Sequence, residues 1–429
     1  MRICHLSWEF PPVVYGGLGR HVHAVATEQA RAGHDVVVLS HVGLDVDDAH
    51  AEPKDEIVEG VRVIRVVRDA PFVPFAADTL LGWVAGLASA MTRAGLNLRR
   101  MWKPDVLHAH DWLTAHAAAS LSEAFEVPWV HTVHATEAGR HQGWLPGDLS
   151  RSIHSVEGWS VLSADRVLVC SRHMKWEVER LFGVANVEVV PNGIDSSASI
   201  IDAELQSAIA IEYGSPLIVH TGRLEWEKGA HTLIEALPRI RRQYPDVKCV
   251  IAGKGSQEEA LRALARRKRV ASRIDFAGWL PESRLRALVA AADVAVVPSI
   301  YEPFGIVALE AAVVKTPVVA STAGGLAEFL DDDAHGWSFQ AGDAAGLADA
   351  VCSSLTQARE SAERADRAHD HVVTHHSWAT ISDRIVEQYE SGIPRDGAGH
   401  RRVDRSSRFS EEQERYLSSA DGNLLFDAR

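Results

Sequence analysis

Short runs rich in β-branched residues alternate with amphipathic helical stretches along this chain, and the alternation occurs in two successive series. In the first, strand patterns fall at 2–7, 35–40, 61–66, 105–110, 128–134, 166–170 and 187–190, with helical stretches at 19–32, 77–100, 112–125, 148–163 and 172–182. After the turn-rich PNGID at 191–195 the alternation weakens, then restarts. The second series has strands at 216–221, 247–252, 273–277, 294–297 and 317–320, with helices at 231–243, 257–268, 282–291 and 305–314. Strands separated by helices need crossover connections, so each sheet is expected to be mostly parallel and covered on both faces. The expected class is α/β, with two Rossmann-like domains at 1–190 and 215–370 joined by a connector at 191–214. A helical segment at 371–391 and a flexible polar tail at 392–429 complete the expectation. A length of 429 residues suits two or three domains.

Composition narrows the function classes. Lys plus Arg number 44 against 58 Asp plus Glu, a formal net charge of −14. Binding to nucleic acid needs a cationic face, so no nucleic-acid partner is expected. The basic run Arg266-Arg267-Lys268-Arg269 reads as a solvated helix end. The four cysteines, Cys4, Cys170, Cys249 and Cys352, are too widely spaced for a CxxC site and read as small core residues. MRICHLSWEF carries charge where a signal peptide needs its apolar stretch. No uncharged apolar run approaches the roughly 18 residues of a membrane span. The expectation is a cytoplasmic protein with no integral membrane segment.

In open α/β sheets, ligands sit beyond the carboxyl ends of the strands. Four strand-end loops carry suitable chemistry. The first, residues 9–21, brings Gly16, Gly17 and Gly19 before a helix N-terminus, which suits an anion; a tight structural turn is the alternative. Its spacing is not G-x-G-x-x-G, which weakens a dinucleotide reading. The second, GRLEWEKG at 222–229, offers Arg223 and Lys228 as phosphate grips, against salt bridges to Glu225 or Glu227. The third, residues 298–310, places Glu302 in a loop and Glu310 within a helix, both good acceptors for vicinal sugar hydroxyls. Gly305, Ile306 and Val307 offer N–H groups at the same helix start. The fourth is AGGLAE at 323–328. In the first half, HAHDW and TVH end strands, which makes His134 a candidate against the alternative of a core histidine.

SWEFPP, YGGLGRH, HAHDW, TVHATEAGR, PNGID, GRLEWEKG and VPSIYEPFGIVALEA, in this order, resemble the retaining glycosyltransferases of family four over residues 1 to about 390. The opening and TVHATEAGRH are similar to actinobacterial glucosyltransferases that extend α-1,4-glucans for glycogen or methylglucose lipopolysaccharides. The resemblance implies a GT-B fold, two Rossmann-like domains facing each other across a cleft, the first on the acceptor side and the second binding the donor. It implies that Arg223 and Lys228 hold the donor diphosphate and Glu310 the ribose. Glu302, with the backbone of Phe304, Gly305, Ile306 and Val307, would hold the transferred sugar and phosphate. Gly16 and Gly17 would approach the diphosphate, and His134 would contact the donor sugar. Asp111 and Glu137 become acceptor-side candidates. Catalysis would rest on His134, Glu302, Arg223 and Lys228, with UDP-glucose or ADP-glucose as donor and a glucan or oligosaccharide as acceptor. The homo-oligomeric state stays open.

Two features depart from the pattern of this group. Tyr15 stands before GGL where bacterial ADP-glucose-type synthases often carry Lys, which leaves the nucleotide open. Lys315 follows the E-x7-E helix where Gly is frequent. A non-Gly residue in a left-handed cap costs roughly 1 kcal/mol, so a different turn is expected there.

No carboxylate stands in a clearly nucleophilic position, so a front-face route with the leaving phosphate assisting the acceptor hydroxyl is expected. No cofactor or metal is expected: Asp45-Val46-Asp47 and Asp331-Asp332-Asp333 read as solvated loops. Mannosyl transfer and maltose-1-phosphate synthesis are alternatives within the family. From other classes come a nucleotide-sugar epimerase, whose chemistry would not centre on E-x7-E, and a non-catalytic sugar-nucleotide binder. A dehydrogenase would need the missing G-x-G-x-x-G.

Overall fold

A computed structural model describes residues 1–44, 50–331 and 333–391. Asp45-Val46-Asp47, Asp332 and the segment 392–429 lie outside the described residues. The chain divides into two compact units: Met1–Pro191 with Trp378 onward, and Asn192–Ser377.

The first unit runs β1 (Arg2–Leu6), α1 (Gly17–Arg31), β2 (Asp35–His41), β3 (Lys54–Val58), β4 (Val61–Val66), α2 (Leu80–Leu98), β5 (Val106–His110), α3 (Trp112–Phe125), β6 (Trp129–Val133), α4 (Glu137–Arg140), α5 (Gly147–Ser163), β7 (Arg166–Val169), α6 (Arg172–Phe182) and β8 (Val187–Val189). Its sheet has the order β3-β4-β2-β1-β5-β6-β7-β8, parallel except for β3. Buried strands alternate their side chains between two apolar layers. Cys4 and Leu6 of β1 join Trp83, Met91, Leu121 and Trp129 on one side, while Ile3 joins Val25, Val106 and Val130 on the other. β3 was not expected. Its sequence, KDEIV, is half exposed and strongly charged, a composition that protects an edge strand but conceals it from a search for apolar runs.

The second unit runs α7 (Ala203–Tyr213), β9 (Leu217–Thr221), α8 (Ala230–Gln243), β10 (Lys248–Ala252), α9 (Glu258–Arg267), β11 (Ile274–Gly278), α10 (Glu282–Ala291), β12 (Val294–Val297), α11 (Ile306–Val313), β13 (Val318–Ser321), α12 (Gly325–Leu330), β14 (Trp337–Phe339), α13 (Ala344–Thr356) and α14 (Ala358–His375). All its strands are parallel, in the order β11-β10-β9-β12-β13-β14. The stretch read as a connector is built into this unit: α7 buries Ile209 in a core that also takes Ile194 and Ala198. Asp202 caps α7 by accepting the N–H groups of Glu204 and Leu205, both at 3.0 Å.

The helical segment read at 371–391 is not one element. α14 ends at His375, and α15 (Trp378–Glu390) belongs to the first unit, where Ile381, Ile385 and Tyr389 pack with Ile3, Val106 and Leu168. At Lys315 the turn keeps its left-handed form, φ 60°, against the expected change. The Lys315 Nζ reaches Asp366 at 2.8 Å, so the side chain finds a partner at the surface. The basic run ends α9 as expected, and Lys268 pairs with Glu235 at 3.1 Å. Cys4, Cys170 and Cys249 are buried thiols.

If α15 is an integral part of the first core, Ile385→Ala should cost about 2–5 kcal/mol of that unit's stability. Ile385 is 1% exposed. Urea unfolding followed by tryptophan fluorescence measures this, and a loss under about 1 kcal/mol would contradict it.

Candidate active site

Each sheet reverses its strand order once, between β1 and β5 and between β9 and β12. A crevice opens outside the carboxyl ends of the strands at such a point. In the second unit the loops flanking it are 222–229, after β9, and 298–305, after β12. These loops, with the helix Ile306–Val313 that follows the second, hold most of the expected donor residues.

The two loops are tied by backbone. The Glu227 carbonyl accepts the N–H groups of Ile300 at 2.7 Å and Tyr301 at 3.2 Å. Gly229, φ 70°, allows the approach: a Cβ there would lie 1.8 Å from the Pro298 carbonyl oxygen. This brings Lys228 to Glu302, Nζ to Oε2 at 2.8 Å, with the Ser299 hydroxyl donating to the same oxygen at 3.0 Å. Arg223 is exposed and its guanidinium donates to Glu227 Oε1 at 3.1 Å. The bland reading of Arg223 as a salt-bridge partner therefore describes part of its environment.

Gly305, φ 103°, precedes α11, whose first-turn N–H groups at Ile306 and Val307 lie ahead of the helix's own hydrogen-bond ladder. Glu310 lies within α11 and is half-buried. The Phe304 ring lies tilted against that of His376, with centroids 5.8 Å apart. The fourth loop closes against the third: Gly325 donates its N–H to the Glu302 carbonyl at 2.9 Å, and a Cβ on it would meet Phe304 Cα at 2.6 Å.

In the first unit, Gly16 precedes α1 and Gly17 begins it, so the helix starts two residues earlier than expected. Sequence reasoning missed Glu9, whose Oε2 accepts the N–H groups of Tyr15 at 2.5 Å and Gly16 at 3.1 Å. The sequence shows only an acidic residue within SWEFPP; its burial, 3% exposed, is a fact of the fold. Asp111 and His134 meet directly: the Asp111 carboxylate accepts the His134 backbone N–H at 2.7 Å. Glu137 starts α4, and its carboxylate is engaged elsewhere, by the Ser150 hydroxyl at 2.5 Å and His141 at 3.2 Å. Burial acts to lift the Glu137 carboxyl, but His141 and Ser150 hold it below the usual range. Glu157, buried beneath it, accepts the Glu137 N–H through both oxygens, and burial drives its own carboxyl well upward.

Beside His134 lies a set of histidines, of which only His108 and His110, in HAHDW, stood out in the sequence as strand ends. Two groups, His5–His108–His110 and His21–His110–His134, bring ring nitrogens within 4.8 Å of one another, a spacing that a metal ion would accept. Both ring nitrogens of His5, His108 and His110 nevertheless have hydrogen-bond partners within the fold. Burial holds His5 down to about 4 and His134 to about 3, and it pushes His108 and His110 well below the usual imidazole value. These rings are neutral at physiological pH.

A family model described as Glycosyltransferase Family 4 matches residues 15–198, and one described as Glycosyl transferases group 1 matches 202–371. A glycogen synthase from Mycobacterium tuberculosis is 44% identical over 396 residues, covering 91% of this chain and 94% of that one. The chain belongs to the family-four glycosyltransferases. As a member, it is a nucleotide-sugar-dependent transferase. An α-maltose-1-phosphate synthase from Mycolicibacterium smegmatis is 29% identical, covering 91% of this chain and 99% of that one. Among solved structures, a sucrose-phosphate synthase from Thermosynechococcus elongatus superposes with a TM-score of 0.79 at 22% identity, over 91% of this chain and 98% of that one. Its likeness bears on the fold, which is GT-B. No described helix is long and apolar enough to cross a membrane.

Burial raises the Asp111 carboxyl to about 6, against about 3.9 for an unfolded aspartate. Between these values the native state binds more protons than the unfolded chain. Stability is therefore fully present below about pH 4 and is lost as pH rises through about 6. Asp111→Asn keeps an oxygen for the His134 N–H but removes the titration. Relative to the variant, the wild type should lose up to about 3 kcal/mol between pH 4 and 7. Urea titrations of both proteins at four pH values test this, and parallel curves would contradict it.

Proposed function

We infer that this protein transfers glucose from UDP-glucose or ADP-glucose to the non-reducing end of an α-1,4-glucan, with retention at the anomeric carbon. The observation that carries the reading is the Lys228–Glu302 contact at the strand-order reversal of the second unit. It occurs in a chain 44% identical to a glycogen synthase.

In this reading Arg223 and Lys228 receive the donor diphosphate. The N–H groups at the start of α11, on Gly305, Ile306 and Val307, add the positive end of a helix dipole. Glu310 accepts from ribose hydroxyls and Glu302 from hydroxyls of the transferred glucose. Phe304 contributes backbone. The Lys228 ammonium already beside Glu302 links recognition of the leaving group to recognition of the sugar. In the first unit, Gly16 and Gly17 bring their backbone to the diphosphate, His134 meets the donor sugar, and Asp111 and Glu137 serve the acceptor side.

Chemistry follows a front-face course. The bond from the anomeric carbon to the β-phosphate oxygen breaks, and the acceptor hydroxyl forms its bond on the same face. The hydroxyl proton passes to the departing phosphate. Negative charge grows on the diphosphate as the bond opens, and preorganised cations stabilise it without reorganisation. Maltose-1-phosphate synthesis is a second reading, favoured by the full-length match to that synthase. An acceptor panel of malto-oligosaccharides and glucose-1-phosphate separates the two, since only one acceptor class should support turnover.

Lys228→Ala should weaken UDP and ADP binding by about 1–3 kcal/mol, as for loss of a charge-assisted contact. Glu302→Gln should keep nucleotide affinity within a few-fold while kcat falls by about 10²–10³. Calorimetry and initial rates on one preparation of each variant measure both. Near-normal kcat in Glu302→Gln would remove Glu302 from the reacting centre. Fixed cations carry the charge in this scheme, so activity should survive EDTA; loss on EDTA with recovery in Mn²⁺ would contradict it.

A further inference from the structure

In the first unit, polar side chains from α1, β1, β5, β6 and α15 form one hydrogen-bonded chain whose direction follows from counting protons. Tyr389 on α15 places its hydroxyl 2.6 Å from His108 Nδ1, and His108 Nε2 lies 2.7 Å from the Thr132 hydroxyl. The Gln29 amide turns its Nε2, which can only donate, to the Tyr389 oxygen at 3.3 Å. Tyr389 has a single proton, and with its oxygen accepting from Gln29 that proton is left for His108 Nδ1.

That orientation aims Gln29 Oε1 at His5 Nε2, 2.7 Å away, and an amide oxygen only accepts. His5 is neutral and so carries its one proton on Nε2. Its Nδ1 is a lone pair that accepts from His110 Nε2–H at 3.1 Å. By the same count, His110 Nδ1 accepts from His134 Nε2–H at 3.2 Å. Gln29, His5 and His110 are 0% exposed, and His134, half-buried, is the end of the chain. If the Gln29 amide were turned over, every donor would become an acceptor, and His134 would present an N–H instead of a lone pair.

We propose that Gln29, acting through His5 and His110 and directed by Tyr389, locks His134 as its Nε2–H tautomer so that His134 Nδ1 accepts a hydrogen bond from a hydroxyl of the donor sugar. Gln29, His5, His110 and Tyr389 are thus positioning residues. The proposal rests on the reading that His134 meets the donor sugar. The tautomer of a functional imidazole is set by the bond its other nitrogen makes, and here that bond is the last of a series with no solvated member before His134. The proposal gives α15 a role beyond packing, because its tyrosine oxygen accepts the Gln29 N–H and so sets the sense of the chain.

The test combines a spectroscopic and a kinetic reading on the full-length protein. Two-dimensional ¹⁵N NMR of labelled imidazoles, with His134 assigned from the His134→Gln variant, reports its tautomer with no substrate present. The wild type should show the Nε2-protonated pattern. Gln29→Met fills the space without a donor or acceptor. It should give mixed tautomers and a kcat lower by on the order of ten-fold, with nucleotide Kd unchanged. Gln29→Glu still accepts from His5 and should restore both the tautomer and most of kcat. Tyr389→Phe, which removes one hydroxyl, should mix the tautomers as Gln29→Met does. An Nδ1-protonated His134 in the wild type would overturn the proposal. So would a Gln29→Met or Tyr389→Phe protein with wild-type tautomer and kcat, or a Gln29→Glu protein as impaired as Gln29→Met. Failure of glucosyl transfer with every donor would sink the functional reading alone, because the tautomer is read without turnover.

Discussion

The Glu227 carbonyl, accepting two N–H groups from Ile300 and Tyr301, is the contact on which the proposed donor site depends. It joins two loops that the reversal of strand order between β9 and β12 has set side by side. Once joined, Lys228 and Glu302 fall within hydrogen-bond range although they stand 74 positions apart. The join tolerates no side chain at residue 229, because backbone oxygen occupies the place of its Cβ. Glu302 is 9% exposed, and a carboxylate so placed is costly unless a charge and hydrogen bonds meet it. Lys228 and the Ser299 hydroxyl meet that need.

The first unit handles polarity differently. Its strand ends collect imidazoles rather than ions, and burial keeps them neutral. Neutral rings in a dry interior interact through directed lone pairs and protons, and a network of this kind specifies one arrangement only when every member is satisfied. The chain from Tyr389 to His134 meets that condition link by link. Glu9 is the anionic counterpart, a buried carboxylate spent on fixing the backbone before α1.

In the proposed reading these arrangements divide the labour of a glycosyl transfer. Fixed cations and a helix start suit the charge that develops on a leaving diphosphate. Neutral acceptors of defined direction suit the hydroxyls of a sugar, which must be oriented rather than neutralised. A carboxyl raised by burial, as at Asp111, holds a proton closer to neutrality than a surface aspartate does.

Much of this was legible in the sequence. Helix and strand periodicity located two α/β series because strands buried on both faces are apolar runs, and amphipathic helices carry their own period. The strand-end position of Arg223, Lys228, Glu302 and His134, and the helical position of Glu310, followed from the same alternation. β3 escaped because a charged edge strand has no apolar run, and α7 because a helix with a single buried residue, Ile209, has almost no amphipathic signal. Sequence also could not divide 371–391, since helical periodicity does not reveal which core each turn packs against. Nor could it find Glu9, Gln29 or Tyr389 as parts of the machinery. The partners of Gln29 and Tyr389 lie up to 360 positions away, and only the folded sheet with its covering helices brings them within hydrogen-bond reach. The chemical types needed were determined by sequence. Which atom donates and which accepts was decided by tertiary structure, because a hydrogen bond's direction depends on every neighbour in its chain.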